Sequence, residues 1–595
     1  MKKTCARYIL FTALVLLLVS PVGTTGETTL PEEPLIVPIG GNDNLWEMDD
    51  LVPGEPGGEV RYSSEKFPNT FNDLLGKRKE TKDITKMIMG AGLTAVNPVN
   101  GRIVPAFAKS WSVSENGRVY TFYLREGLKF SDGQPLTAED VLFTYEKLVL
   151  NPEVETEERE ILRVEGEFPE IELVDQLTVR FRLPEPHGPF PRRVSTGIYP
   201  KHKLVDITGK EFNETWDRET AADNPEEIVG AGPFQLKKFV PGEEIVLTRN
   251  PYYYKVDSQG TQLPYLDGYR VVKVEDNDVE FLKFRSGETD FLRPQIRDMP
   301  YLLSQADEEG WNLITGRKVR SAPLNSDFLT FNWNTDRKDL NELFREPDFR
   351  RAVALAIDTE EIIEKVFNGF GQPQYGPISR LSPYHDPNMI DTLPGKFDLE
   401  AARELLEKLG INDSDEDGVR ELSTGKPVRF SIAVNKENRV RTEMAEIVAG
   451  GLDNIGVRAD IKSLEFSDYS SKLILGSHQS AIASALANPR EPSTLSDIFT
   501  SGGPLHLWNL GPDRTLTEWE MKMDRLFRNG LKSTGFQERK EHYYEFQELF
   551  AEKLPVIYLP GESFLYATSS PVRNWDEFNR LGTFQDFAEF VWLEE

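Results

Sequence analysis

The chain has 595 residues, 98 acidic against 69 basic side chains, and a single cysteine. At about 150 residues per domain that length argues for two to four domains, and 39% hydrophobic with 28% charged content excludes wholesale disorder. A net charge of −29 repels phosphate backbones and speaks against nucleic acid as a partner, while one cysteine and six histidines leave no Cys-based zinc site and little for any metal centre.

Lys2, Lys3 and Arg7 precede an apolar run from Tyr8 to Val19, followed by Pro21, Gly23 and Gly26. A basic start, a short apolar stretch and small residues at its end predict a cleaved secretory signal over 1–26. The run is about 12 residues, too short for the roughly 20 of a spanning helix. Cys5 precedes it, whereas a lipid-attachment cysteine has to follow. The three basic groups leave with the signal, so the exported chain is predicted to be soluble and cysteine-free, its charge moving from −29 to −32. Residues 27–58, rich in Pro and Gly, read as a flexible tether.

From Val60 onward strands and helices alternate. Leu177 to Leu183 alternates apolar with polar residues, as a half-buried strand does, and Val119 to Phe130 is a second strand candidate. Thr137 with Asp140 spells a helix-opening capping box, with Val141, Tyr145, Leu148 and Val149 at helical spacing behind it. Further helices are predicted over Pro347 to Ile357, from Asp358 to Phe367, over Leu399 to Leu409 and over Thr442 to Ile455. Gly369, Gly410 and Gly456 are the predicted stops of the last three. Mixed elements over this length predict α/β lobes around a cleft.

Catalytic signatures are missing: no nucleophile elbow, zinc-protease helix or phosphate-binding loop occurs. A carboxylate pair for glycoside hydrolysis is not singled out by any local sequence. One acidic loop is more specific. Asp413, Asp415 and Asp417 alternate before Gly418, as the oxygen ligands of a calcium loop do. The twelfth position is Thr424 rather than Glu, with Glu421 at the ninth as a substitute. A structural calcium site and a solvated Asp-rich turn are the two readings.

Several stretches carry a family resemblance. They are Gly57-Gly-Glu-Val-Arg61, Pro105-Ala-Phe-Ala-Lys-Ser-Trp111, Phe130-Ser-Asp-Gly133 running into Pro135-Leu-Thr-Ala-Glu-Asp-Val141, and Gly230-Ala-Gly-Pro-Phe234 with Val246-Leu-Thr-Arg-Asn-Pro251. Ser286-Gly-Glu-Thr-Asp290, Phe349-Arg-Arg-Ala-Val353 and Leu554-Pro-Val-Ile-Tyr558 complete the set. In these the chain resembles the extracellular solute-binding proteins of family 5, the oligopeptide- and dipeptide-binding group serving ABC importers.

The resemblance implies an α/β fold of the two-lobe periplasmic-binding-protein type, hinged by two crossover segments and carrying an extra inserted domain. Lobe I is expected over 59–75, 185–320 and 556–595, the inserted domain over 76–184, and lobe II over 321–555. It implies a non-enzymatic, monomeric receptor, periplasmic or extracellular, that closes on a solute and hands it to ABC permease subunits. Trp111 and the Phe130–Gly133 turn read as scaffold of the inserted domain. Peptide binders of the family hold the peptide amine with an aspartate; Asn488 stands at that position here, with Ala485 replacing a nearby aromatic. An amide offers no charge to an ammonium group, which favours a neutral oligosaccharide, whereas Arg490 suits a carboxylate. Trp333 and Asn334, in Phe331-Asn-Trp-Asn334, and Trp508 and Asn509, in His506-Leu-Trp-Asn509, are the other expected ligand contacts. A secreted hydrolase is the alternative from another class, and a chemosensory or chaperone-like binder the alternative on the same fold.

Overall fold

Two β-sheets of different construction divide the protein, and the chain passes between them twice. The computed structural model describes residues 30–39, 51–207, 209–315, 326–389, 396–485, 490–511, 514–575 and 587–594; the expected signal over 1–26 lies outside them.

The first sheet has seven strands, in the order Asn312–Thr315, Leu565–Thr568, Phe291–Leu292, Glu59–Ser64, Gly268–Lys273, Glu244–Arg249 and Phe234–Val240. Glu59–Ser64 runs parallel to Gly268–Lys273, with Val60 opposite Tyr269, and the edges are antiparallel. The second sheet has five, in the order Arg458–Leu464, Arg429–Asn435, Ser480–Ala485, Ser326–Phe331 and Val556–Tyr558. Strand Ser326–Phe331, an interior strand of this sheet, is buried at every position, as a strand covered on both faces must be. Buried side chains group accordingly: one core gathers residues between Leu35 and Val591, another runs from Phe328 to Leu559, and a smaller third, of Phe284, Leu292, Met299, Leu302, Leu565 and Ala567, belongs to lobe I. The lobes therefore part between Thr315 and Ser326 and again after Leu559.

Two boundaries differ from expectation. Val556–Tyr558, assigned above to lobe I, pairs with Ser326–Phe331 and belongs to lobe II. Within 27–58, residues 30–39 and 51–58 do not behave as a free tether. Leu35–Ile36 adds a short parallel strand beside Lys255–Val256, and Leu35, Val37, Ile39 and Leu51 are buried. Spaced two apart, three of these form one face of an extended segment, a pattern too short to stand out among the prolines.

Between the strands of lobe I, a four-stranded antiparallel sheet forms from Ala108–Val113, Val119–Leu124, Thr178–Arg182 and Glu170–Asp175. Its core is continuous with that of lobe I. Val119–Leu124 ends earlier than its apolar composition suggests, because a turn at Gly127, with φ of 75°, sends Phe130 into the core. The Thr137 capping box is present, the Thr137 N–H donating to Asp140 Oδ2 at 2.9 Å. Asp358 caps Thr359–Val366 in the same manner, its Oδ1 accepting from the Glu361 N–H at 2.9 Å.

The motifs behind the resemblance join segments. Arg61 forks onto Asp290, Nη2 to Oδ1 at 2.8 Å and Nε to Oδ2 at 3.0 Å. Asn250 donates to the Gly232 carbonyl at 2.8 Å, and a Cβ at Gly232 would lie 2.4 Å from the Met87 carbonyl oxygen. Arg350, fully buried, donates from Nε to the Leu554 carbonyl at 2.7 Å, and burial pushes its guanidinium down to about 9.

Candidate ligand-binding site

Where the lobes face each other lies a cavity of about 780 Å3. Helix Lys79–Met89 brings Lys82 and Lys86 to its wall, and the turn following helix Phe190–Arg193 brings Ser195 and Thr196. Arg192 and Arg193, at the end of that helix, line it as well. Lobe II contributes Arg490, Glu491, Ser493 and Thr494. Proline at the first helical position of the one-turn helix Pro492–Leu495 fixes Glu491 as its cap, and Glu491 Oε1 accepts the Ser493 N–H at 3.2 Å.

The walls are charged, and most charges are matched. Lys255 Nζ lies 2.8 Å from Glu589 Oε1; burial lowers its affinity for a proton, but Glu589 outweighs burial and raises it. Arg539 donates to Glu491, to the Tyr384 hydroxyl at 2.5 Å and to the Gly530 carbonyl at 2.8 Å. Burial pushes the Glu491 carboxyl up, yet Arg539 and Arg192 hold it below the usual carboxylate range. Arg193 donates to the Arg163 carbonyl at 2.7 Å, and burial pushes it down to about 10, still a cation at neutral pH.

Arg192 differs from these. Partly buried, its guanidinium is shifted down by burial and supported at a distance by Glu491 and Tyr384, and it makes no hydrogen bond or ion pair with a described residue. A guanidinium stays charged and has five N–H donors, so this one faces the cavity with donors to offer.

Of the residues expected from sequence, Arg490 lines this cavity and Asn488 lies outside the described residues. Trp333, Asn334, Trp508 and Asn509 are not among its lining, because they form a polar cluster inside lobe II. Trp333 and Trp508 are 1% and 0% exposed, their ring centroids 6.4 Å apart. The Trp333 N–H donates to the Trp508 carbonyl at 2.7 Å. Asn334 Nδ2 donates to Asn509 Oδ1 at 2.8 Å. Asn509 and Trp508 both donate to Glu520, which also accepts from the Thr517 N–H at 2.7 Å and lies 3.0 Å from His506 Nε2. Burial pushes the Glu520 carboxyl up, and this ring of donors more than reverses that, holding it at about 2. Apart from the buried Trp333 Nε1–H, which has no hydrogen-bond partner among the described residues, the polar groups of this cluster are spent on one another.

The acidic loop gathers as expected. Carboxylate oxygens of Asp413, Asp415, Asp417 and Glu421 lie within 4.8 Å of one another, on the exposed side of lobe II. Gly418, at φ 86°, makes the turn and donates its N–H to Asp413 Oδ2 at 3.0 Å. This all-oxygen donor set suits a hard divalent cation.

Arg192, Glu491 and Lys82 escape a sequence reading. The one signal they leave is the tandem Arg192-Arg193 placed directly after Phe190-Pro191 in a chain otherwise rich in acids.

Residues 102–505 match the family described as bacterial extracellular solute-binding proteins, family 5 Middle. The probable ABC transporter-binding protein of Deinococcus radiodurans is 26% identical over 577 residues, 93% of this chain and 94% of that protein. The periplasmic alpha-galactoside-binding protein of Rhizobium meliloti is 32% identical over 463 residues, 73% of this chain and 65% of that protein. Among solved structures, an oligopeptide-binding protein OppA superposes with a TM-score of 0.81 at 24% identity, covering 97% of this chain and 94% of that one. With more than half its length matched, the chain belongs to the family 5 bacterial extracellular solute-binding proteins.

Proposed function

We propose that this protein is the substrate receptor of an ABC importer, taking up a zwitterionic oligopeptide between its lobes and presenting it to membrane permease subunits. It acts as a carrier outside the cytoplasm rather than as an enzyme. The carrying observation is Arg192, a partly buried cation at the cavity whose guanidinium has no hydrogen-bond or ion-pair partner among the described residues. The ligand group that complements it is a carboxylate, and the acids Asp73 and Glu158 elsewhere on the walls suit the opposite end of a peptide. Sugar recognition ordinarily uses aromatic platforms, and Tyr253 is the aromatic residue of this lining. An oligosaccharide is the second reading, supported by the 32% identity to an alpha-galactoside-binding protein and by the amide at position 488.

Calorimetric titration of tripeptides beside galactose-containing oligosaccharides separates the two. Free-carboxylate peptides are expected to bind and their C-terminal amides to bind about ten-fold or more weakly, the worth of one charged hydrogen-bonding partner. Binding of the sugars alone overturns the peptide reading. A calcium ion in the loop of Asp413, Asp415, Asp417 and Glu421 is a separate proposal, supported by the donor set and structural in role.

A further inference from the structure

A second cavity, of about 350 Å3, opens beside the first, and the two share Pro189, Arg192 and Glu491. Its character is different. Trp111 and Val113, from the edge strand Ala108–Val113, form one wall, and Tyr384 and Phe536 of lobe II form the other. The aromatic surfaces are fixed: Tyr384 and Phe536 pack at 5.2 Å between centroids, and Arg539 holds the Tyr384 hydroxyl at 2.5 Å. The Arg102 guanidinium, which also lines the chamber, lies over the Phe536 ring, 4.6 Å from its centroid.

At the wall of this chamber lobe I and lobe II touch directly. The Gly188 N–H donates to the Leu531 carbonyl at 2.6 Å, and a Cβ at Gly188 would lie 1.8 Å from the Ser533 carbonyl oxygen. The chamber therefore exists as a walled space only when the lobes are together. A ligand group that fills it gains apolar contact in the closed state alone, which is what favours closure.

We propose that this chamber is a specificity pocket for an apolar side chain, aromatic by preference, carried on the ligand residue whose carboxylate meets Arg192. This rests on the peptide reading above and adds to it that the C-terminal residue is selected. Arg192 stands at the junction of the two cavities, so a carboxylate held there places the side chain of the same residue at the mouth of the chamber. Trp111, which reads from sequence as scaffold, thereby acquires a contact with ligand.

The test compares Ala-Ala-Phe with Ala-Ala-Gly by calorimetry on the full exported chain. The wild-type protein is expected to bind Ala-Ala-Phe about ten-fold or more tightly than Ala-Ala-Gly, from burial of one ring. Val113→Trp fills the chamber from an edge strand; it is expected to abolish the preference, bringing the affinity ratio of Ala-Ala-Phe to Ala-Ala-Gly down to about one. Phe536→Ala, on the opposite wall, gives a second measure, weakening Ala-Ala-Phe selectively. Equal wild-type affinities, or a preference that survives both substitutions, overturn the pocket while leaving the receptor for peptides standing. Failure of both peptides to bind, with oligosaccharide binding intact, overturns the peptide reading and the pocket together.

Discussion

Two clusters of aromatic and polar side chains in this protein look alike in composition and do opposite things. Around Glu520 in lobe II, a carboxylate, two tryptophans, a histidine and two asparagines close on one another, with Glu520, His506 and Asn509 all 0% exposed. Around Arg192, between the lobes, a similar supply of charge and aromatic surface is left partly unmatched. Ligand capacity in such a fold lies where polar groups are not already satisfied by the protein, and residue type alone does not reveal that.

The sharpest way to break this contrast is to remove the acceptor of the sealed cluster. Glu520→Ala strands the donors of Asn509, Trp508 and Thr517 in a buried space, and a loss of about 3–5 kcal/mol in stability is expected, read as a fall in the unfolding midpoint in urea. Ligand affinity of the folded fraction should stay as it was. The same carboxyl ties lobe II to pH. Its value in the folded protein, about 2, lies below the ordinary 4.5. Its contribution is therefore complete above the ordinary value and is lost as pH falls towards 2. Acid unfolding over that interval, absent from a comparison of pH 6 with pH 8, is the expected profile.

Arg192→Gln is the reciprocal experiment. Because the Arg192 guanidinium has no hydrogen-bonding partner among the described residues, apo stability should change by less than about 0.5 kcal/mol, while affinity for a free-carboxylate peptide falls about ten- to hundred-fold. A large loss of apo stability would show instead that the guanidinium supports the fold, and the contrast with Glu520 would collapse.

Gly188→Ala probes closure. The added methyl collides with the Ser533 carbonyl only when the lobes meet, so the open protein should be indifferent to it. Weaker binding of every ligand, by about ten-fold, together with a smaller ligand-induced contraction in small-angle scattering, is expected. A variant that contracts and binds like wild type would mean the Gly188–Leu531 contact does not limit closure.

How much of this was legible beforehand follows the same division. Local signals were readable: the Thr137 box, the Asp358 cap and the stops at Gly369, Gly410 and Gly456, each with φ between 74° and 81°, depend on neighbours in the chain. The motif blocks were legible as family markers, although their work, such as Arg61 on Asp290 across 229 positions, is long-range. Trp333 and Trp508, expected at the ligand, lie inside lobe II: a large aromatic ring serves a core and a sugar platform equally well, and its burial is decided by the packing around Glu520. Arg192 was invisible because its role depends on what it does not touch. The segment 30–39 reads as a tether from sequence because its burial is set by Lys255–Val256, more than 200 positions away.

The acidic loop carries the smallest expected effect and extends the same reasoning to the surface. Asp417 and Glu421 already accept backbone N–H groups, from Val419 at 2.8 Å and Ser414 at 2.7 Å, which satisfies part of their capacity much as Glu520 is satisfied inside. What remains is four carboxylates close together in water, whose mutual repulsion a divalent ion relieves. Millimolar calcium, in the range typical of extracellular sites, should raise the melting temperature by about 1–2 °C, and Asp415→Asn should abolish the shift. Magnesium, smaller and reluctant to shed its water, should do much less. If calcium leaves the melting temperature unchanged, the turn holds itself through its own N–H groups, and its carboxylates only add to the acidic surface of the carrier.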